Sequence, residues 1–135
     1  MRTTMFDPAR TYLRLNGGQA EQLVVDEHFW ANVASGALPV PGWLVGMFDW
    51  PVGTDRAAGG HSEVHPNGDE VHICMVGAMT AVLEHDDGDE FIDFSAGQAC
   101  VVPAGIWHHL VAQRSSRVLS MTFGDGSEHR FSPSR

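Results

Sequence analysis

The stretch from His61 to Gly77, H-S-E-V-H-P-N-G-D-E-V-H-I-C-M-V-G, constrains this chain more than any other part of it. Side chains of an extended strand alternate between two faces, so His61, Glu63 and His65 share one face. Pro66-Asn67-Gly68-Asp69 then reads as a tight turn, because proline presets one dihedral and Asn-Gly tolerates positive φ. The chain resumes at Glu70, whose face is shared by His72 and Cys74. A hairpin of this kind brings Glu63, His65 and Glu70 to one point, where two adjacent strands can supply carboxylate and imidazole ligands to a metal. A further ligand has to come from elsewhere in the chain, and P-A-G-I-W-H-H offers His108.

A chain of 135 residues, 43% hydrophobic and with four tryptophans, fits one globular domain with a real core. No segment approaches the roughly 20 apolar residues that span a bilayer, and M-R-T-T-M-F-D-P lacks the apolar centre of a signal peptide. A cytoplasmic protein is expected. The formal net charge of -9 argues against nucleic acid or an anionic membrane surface as partner. Much of that charge lies in Glu84-His85-Asp86-Asp87-Gly88-Asp89-Glu90, which reads as a solvated loop with Asp-Gly at a hairpin turn; its spacing matches no EF-hand. The absence of lysine rules out Schiff-base catalysis by that residue. Cys74 and Cys100 sit in apolar runs and read as buried free thiols, not as a disulfide framework.

Taken in order, Thr11–Leu15 and Gln22–Val25 flank Asn16-Gly17-Gly18 and read as a hairpin or two edge strands. Asp26 to Gly36 reads as one short helix with Asp26 as N-cap, a face of Phe29, Trp30 and Val33, and Gly36 as the stop. Leu38-Pro39-Val40-Pro41-Gly42 ends it. Trp43 to Trp50 is a strand, followed by a turn-rich stretch through Gly53 to Gly59-Gly60. Further strands are expected at about 61–65, 70–76, 78–84, 90–94, 99–102, 107–112 and 117–123, the short regular spacing of a sandwich or barrel. Val101, Val102, Val118 and Leu119 read as core, and Trp43, Trp50 and Trp107 as aromatic packing. The tail after Gly124 reads as polar and loose. The chain is therefore expected to be a single all-β domain over residues 1–135, with a barrel core at about 40–124 and N-terminal strands and helix in 1–39.

These residues resemble the cupin superfamily. Its first motif, G-x5-H-x-H-x4-E-x6-G, is matched in its intervals by Glu63, His65, Glu70 and Gly77, and its second, G-x5-P-x-G-x2-H-x3-N, by Gly97, Pro103, Gly105 and His108. Residues 78–96 make a short segment between the motifs. Three positions depart: Glu63 stands for the first metal histidine, Ala57 for the leading glycine and Ala112 for the closing asparagine. The phrase H-P-x-G-D-E looks like that of a subgroup of small bacterial cupins. The resemblance implies a cupin-type jelly-roll β-barrel or sandwich with one short N-terminal helix.

It also implies a metal set of Glu63, His65, Glu70 and His108, chemically suited to Mn²⁺, Fe²⁺ or Zn²⁺. His61 is an alternative first ligand. Glu63 or His72 would move a proton as a catalytic residue. His109 should face away from His108 in a surface or sheet-packing role, His85 and His129 sit in polar runs, and Pro103 and Gly105 are turn residues that aim His108 inward. Two functions are expected to compete. One is a metal-dependent oxygenase, isomerase or cyclase acting on a small organic molecule in the barrel. The other is a module that holds a small molecule or metal without turnover, and a metal-free set of hydrogen-bonded residues is a third reading. A homodimer follows from the resemblance, with the N-terminal segment a candidate for strand exchange and edge strands in need of cover.

Overall fold

A computed structural model of the chain describes residues 4–52 and 60–133. Eleven strands and one helix are laid out along these residues: β1 (Thr11–Asn16), β2 (Gln19–Val24), α1 (Phe29–Ser35), β3 (Trp43–Trp50), β4 (His61–Val64), β5 (Glu70–Val76), β6 (Ala78–His85), β7 (Gly88–Ser95), β8 (Ala99–Val102), β9 (His108–Ala112), β10 (Ser116–Phe123) and β11 (Glu128–Phe131). They form two antiparallel sheets in the order β2-β1-β3-β10-β5-β8 and β11-β4-β9-β6-β7. This is the all-β jelly-roll sandwich with one short helix that the sequence implied. Ala57 and the stretch from Gly53 to Gly59 lie outside the described residues.

Alternation explains most of the strands. In β5, Glu70, His72 and Cys74 turn into the sandwich and are buried, while Val71 and Ile73 face outward and are half-covered. In β6, every residue from Met79 to Glu84 is buried, because this strand lies inside its sheet with both faces covered. Between the sheets the core packs Met79, Ala81, Leu83, Phe94 and Leu110 against Cys74, Cys100, Val102 and Val118. Both cysteines are buried free thiols. Val102 and Val118 are core as expected, but Leu119 is only half-buried and Val101 is 53% exposed. Its neighbour in the opposite pleat takes the inward position, so Val101 faces out.

Four expectations need correction. First, β4 and β5 do not pair with each other: β4 pairs with β11 and β9, and β5 with β10 and β8. The turn at Pro66–Asp69 carries the chain from one sheet to the other, so Glu63 and His65 face Glu70 across the barrel. Second, the segment after Gly124 is not loose: β11 pairs with β4 over four residues, covering an edge that would otherwise expose its hydrogen-bonding groups. Third, Glu84 is not part of a solvated loop. Its side chain is fully buried, and the acidic run turns back only after His85, with His85 opposite Gly88. Fourth, Asp26 does not cap α1. The N-cap is His28 without a side-chain bond, and Asp26, two residues earlier, accepts the His28 N–H on its Oδ1 at 2.9 Å. Gly36 does end the helix, in the left-handed conformation at φ 81°.

The N-terminal hairpin joins the first sheet through β1 and β3, with Leu13 opposite Val45. Tyr12, buried on the inner face, packs edge-on to Phe29 at 5.2 Å and against Phe48 at 5.2 Å. That contact requires Gly46: a Cβ there would lie 2.6 Å from the Tyr12 ring. Gly46→Ala should therefore destabilise the protein by roughly 1 to 3 kcal/mol, as overpacking of a filled site does. Urea denaturation with an unchanged m-value is the measurement.

Candidate metal centre

Among the described residues, Glu63, His65, Glu70 and His108 offer ligand atoms that all lie within 4.8 Å of one another. Each arrives for a local reason. Glu63 points inward from β4, directly opposite His108 on β9 in the ladder. His65 follows β4, and its carbonyl accepts the Gly105 N–H at 3.1 Å, which fastens the turn before β9 against it. Glu70 opens β5 on the other sheet. His65 Nε2 stands 3.3 Å from Glu63 Oε1 and 3.1 Å from Glu70 Oε2. His108 Nε2 stands 2.9 Å from Glu70 Oε1 and 3.5 Å from Glu63 Oε1. A metal bonded at about 2.1 Å would set neighbouring ligand atoms about 3.0 to 3.4 Å apart, so the spacing matches.

The hydrogen bonds around the cluster fix which nitrogens face inward. His108 Nδ1–H donates to the Ile106 carbonyl at 2.9 Å, which leaves Nε2 toward the carboxylates. His65 Nδ1 lies 2.6 Å from Ser127 Oγ, and that hydroxyl spends its only proton on the Gly124 carbonyl at 2.6 Å. Ser127 must therefore accept from His65 Nδ1–H, and His65 also turns its Nε2 inward. His65 Nε2 is buried without an aligned hydrogen-bond partner. Two imidazole Nε2 atoms and two carboxylates thus converge, a set carrying two negative charges when the rings are neutral. This is a donor set for a dication, with the outward Nδ1–H bonds that orient metal-binding histidines.

Glu70 is oriented from behind. Thr122 Oγ1 donates to its Oε2 at 2.6 Å, and His72 Nε2–H to its Oε1 at 2.7 Å. Ser120 Oγ donates in turn to His72 Nδ1, at 2.8 Å. Both His72 nitrogens are occupied and the ring is buried behind Glu70. His61, the alternative ligand, lies exposed against the Phe131 ring, with centroids 4.5 Å apart, whereas Glu63 reaches the cluster. The Glu63 side chain is 35% exposed against 5% or less for the other three, so the site opens beside Glu63.

Some neighbours escaped the sequence reading. Ser120 and Thr122 carried a usable signal, as polar residues at alternate positions of the apolar strand V-L-S-M-T-F. Ser127 and His129 carried none. His129 sits opposite Glu63 in β11, with its Nδ1 4.0 Å from Glu63 Oε2. His109 faces away from His108, as expected, and its Nδ1 lies 2.7 Å from Glu84 Oε2.

Electrostatics ties the four residues together without a metal. Burial opposes ionisation of Glu63, but the His108 and His65 rings beside it outweigh that cost and hold the carboxyl at about 2. Glu70 is likewise held well below the ordinary range by His108, His65 and His72 against the cost of burial. Burial works against a charged His65 and His108, yet bonding to Glu63 and Glu70 raises them to about 9 and about 10. In the metal-free protein two ring protons take the place of a dication.

No protein-family model and no curated protein sequence matches the chain. Solved structures do. A mutant of Bacillus subtilis oxalate decarboxylase aligns with 14% identity over 68% of this chain and 24% of that one, at a TM-score of 0.51. Hydroxypropylphosphonic acid epoxidase from S. wedmorenis, in complex with fosfomycin, aligns with 13% identity over 60% of this chain and 43% of that one, also at 0.51. A cupin-2 domain containing protein from Shewanella frigidimarina aligns with 20% identity over 59% of this chain and 69% of that one, at 0.45. The chain thus spans about a quarter of the first enzyme's length and less than half of the second's. The shared property is the fold, a cupin-type jelly roll.

A signed pH dependence follows for the chelator-treated protein. The two histidines are raised above their ordinary 6.5, so their stabilisation is complete below that value and is lost as pH rises through about 9 and about 10. The carboxylates are lowered from 4.5, so theirs is present above that value and is lost as pH falls toward about 2. Thermal melts should show wild type most stabilised over His108→Gln between about pH 4.5 and 6.5, with the gap narrowing above about pH 9.

Proposed function

We propose that the chain is a metal-dependent enzyme acting on a small organic molecule at the Glu63 side of the barrel, with Glu63, His65, Glu70 and His108 holding a divalent transition metal. The observation that carries this reading is the convergence of two inward Nε2 atoms and two carboxylates. Bound there, Mn²⁺, Fe²⁺ or Zn²⁺ would supply Lewis-acid polarisation of a carbonyl or enolate oxygen, or a place for O₂ beside substrate. The chain's own residues do the rest. Thr122 and His72 keep Glu70 ionised and in one orientation, Ser127 and the Ile106 carbonyl hold the two rings, and Glu63, half in contact with solvent, is placed to move a proton. His72 acts through Glu70, and its role in this scheme is to position that carboxylate. Oxygenation, isomerisation or cyclisation of a small hydroxy-carbonyl compound is the chemistry this arrangement suits.

A module that holds a metal or small molecule without turnover is the second reading. It is favoured by the dense packing behind the site, where His108, Met79 and Val102 are almost wholly buried and Glu63 alone of the four ligands reaches solvent. Elemental analysis of wild type beside His65→Ala and His108→Ala should find near-stoichiometric metal in the first and at least about tenfold less in the others. No metal in reconstituted wild type would overturn both metal readings. Oxygen uptake or substrate loss with enolic and hydroxy-carbonyl compounds then separates enzyme from binding module.

The same reading includes a homodimer. Leu13, Val45, Met121, Val71 and Val101 stand side by side across five strands on the outer face of the first sheet, and Met47, Leu119, Ile73 and Ala99 form the next row. Two copies, each carrying a net charge of -9, can approach without opposing like charges across these uncharged rows. Ile73→Glu should convert a dimer to a monomer in sedimentation equilibrium, and a monomeric wild type would sink the proposal.

A further inference from the structure

The second sheet has two functional faces. Alternation along β4 and β9 sends Glu63 and His108 into the barrel and their neighbours Ser62 and His109 to the opposite side. There they meet Glu84 of β6, whose side chain is fully buried. Ser62 Oγ donates to Glu84 Oε2, His109 Nδ1 lies 2.7 Å from the same oxygen, and Arg130 Nη2 of β11 donates to Oε1 at 3.0 Å. Ser132 Oγ is 2.6 Å from Ser62 Oγ, and the Arg130 guanidinium lies over the Trp107 ring at 4.2 Å. One carboxylate of β6 therefore has a partner on each of three other strands. Burial raises the cost of its charge, and bonds from Ser62, Arg130 and His109 more than offset that, so it stays ionised.

This matters because β4 is weakly joined to the rest of its sheet. Its long ladder is with β11, four pairs from Glu128↔Val64 to Phe131↔His61, while its ladder with β9 is the single pair Glu63↔His108. Among the described residues, the Gly105 N–H bond to the His65 carbonyl adds a backbone link toward β9. By contrast β9 and β6 pair over five residues. The β4–β11 pair, which carries Glu63, is thus a flap hinged on little backbone bonding, with His65 directly after it. Glu84 bonds both of its strands.

We infer that Glu84, on the far side of the sheet from the metal centre, is a positioning residue: by binding Ser62, His109 and Arg130 at once it clamps β4 and β11 to β9 and β6, and so sets Glu63 and His65 at coordinating distance from His108 and Glu70. The inference rests on the proposed metal-centre reading for its functional meaning. Another polar contact on this face, the part-buried bond from Thr80 Oγ1 to exposed Asp93 Oδ1 at 2.7 Å, joins β6 to β7 and touches neither β4 nor β11.

The experiment compares wild type, Glu84→Gln, Ser62→Ala and Thr80→Val in two readouts: Mn²⁺ affinity by titration, and the ring NMR signals of His65 and His108 in metal-free protein. Glu84→Gln should raise the apparent Kd for Mn²⁺ about 10- to 100-fold, the range seen when groups that orient ligands are removed, and should shift both ring signals. Thr80→Val, which removes a side-chain bond of the same strand away from β4, should leave Kd within about twofold and the rings unmoved. Should Glu84→Gln not fold, Ser62→Ala removes the β4 arm alone and should weaken Mn²⁺ in the same direction. Unchanged affinity in folded Glu84→Gln or Ser62→Ala, or an equal loss in Thr80→Val, would overturn the clamp. If wild type binds no Mn²⁺, the metal reading fails by itself, and the ring signals decide: unmoved rings in Glu84→Gln overturn the clamp, shifted rings uphold it.

Discussion

A carboxylate buried as deeply as that of Glu70 stays charged only if its surroundings supply enough hydrogen bonds and positive charge to replace water. The architecture around it answers that requirement from both sheets. Thr122 and His72 come from its own sheet and serve each oxygen once. His65 and His108 come across the barrel and meet the same two oxygens from the front. Removing any of these would leave a buried charge short of partners, which costs more than the bond itself contributes. The cross-barrel placement depends on the Pro66–Asp69 turn changing sheets. A hairpin within one sheet would set Glu63 and Glu70 side by side, with no facing wall to enclose a bound ion.

The sequence was legible where the information is local. The bounds of β3, β5 and β8 are those expected from alternation and glycine punctuation, and the grouping of Glu63, His65, Glu70 and His108 could be read from motif spacing. What escaped was decided by distant partners. E-H-R-F has no apolar alternation, and it becomes a strand because β4 has an edge to cover. Glu84 looks solvated in an acidic run, and it is buried because Ser62, His109 and Arg130, from three other strands, satisfy it. Val101 and Val102 are chemically alike, so only the pleat decides which one faces the core.

The two faces of the second sheet explain why polar residues crowd positions that would normally be apolar. Ser62-Glu63 and His108-His109 each split a pair of neighbours between the barrel and the outer cluster. Rigidity on one face is thereby coupled to geometry on the other, through a backbone only one residue thick. An outer face built of valines could bury the same area, but it would lack the directional bonds that fix register at a ladder of one pair.

The pairing of β11 with β4 also sets the order in which the molecule can be completed. Ser127, which orients His65, and Arg130, which meets Glu84, lie more than sixty residues after the strand they support, as the Ser127–His65 separation of 62 shows. Contacts of such long sequence separation form late, because chain entropy has to be lost before they stabilise anything. A nascent chain that had reached only His108 would carry all four inward-facing donors without the strand that aims two of them. The four donors are therefore aligned only once β11 has joined β4.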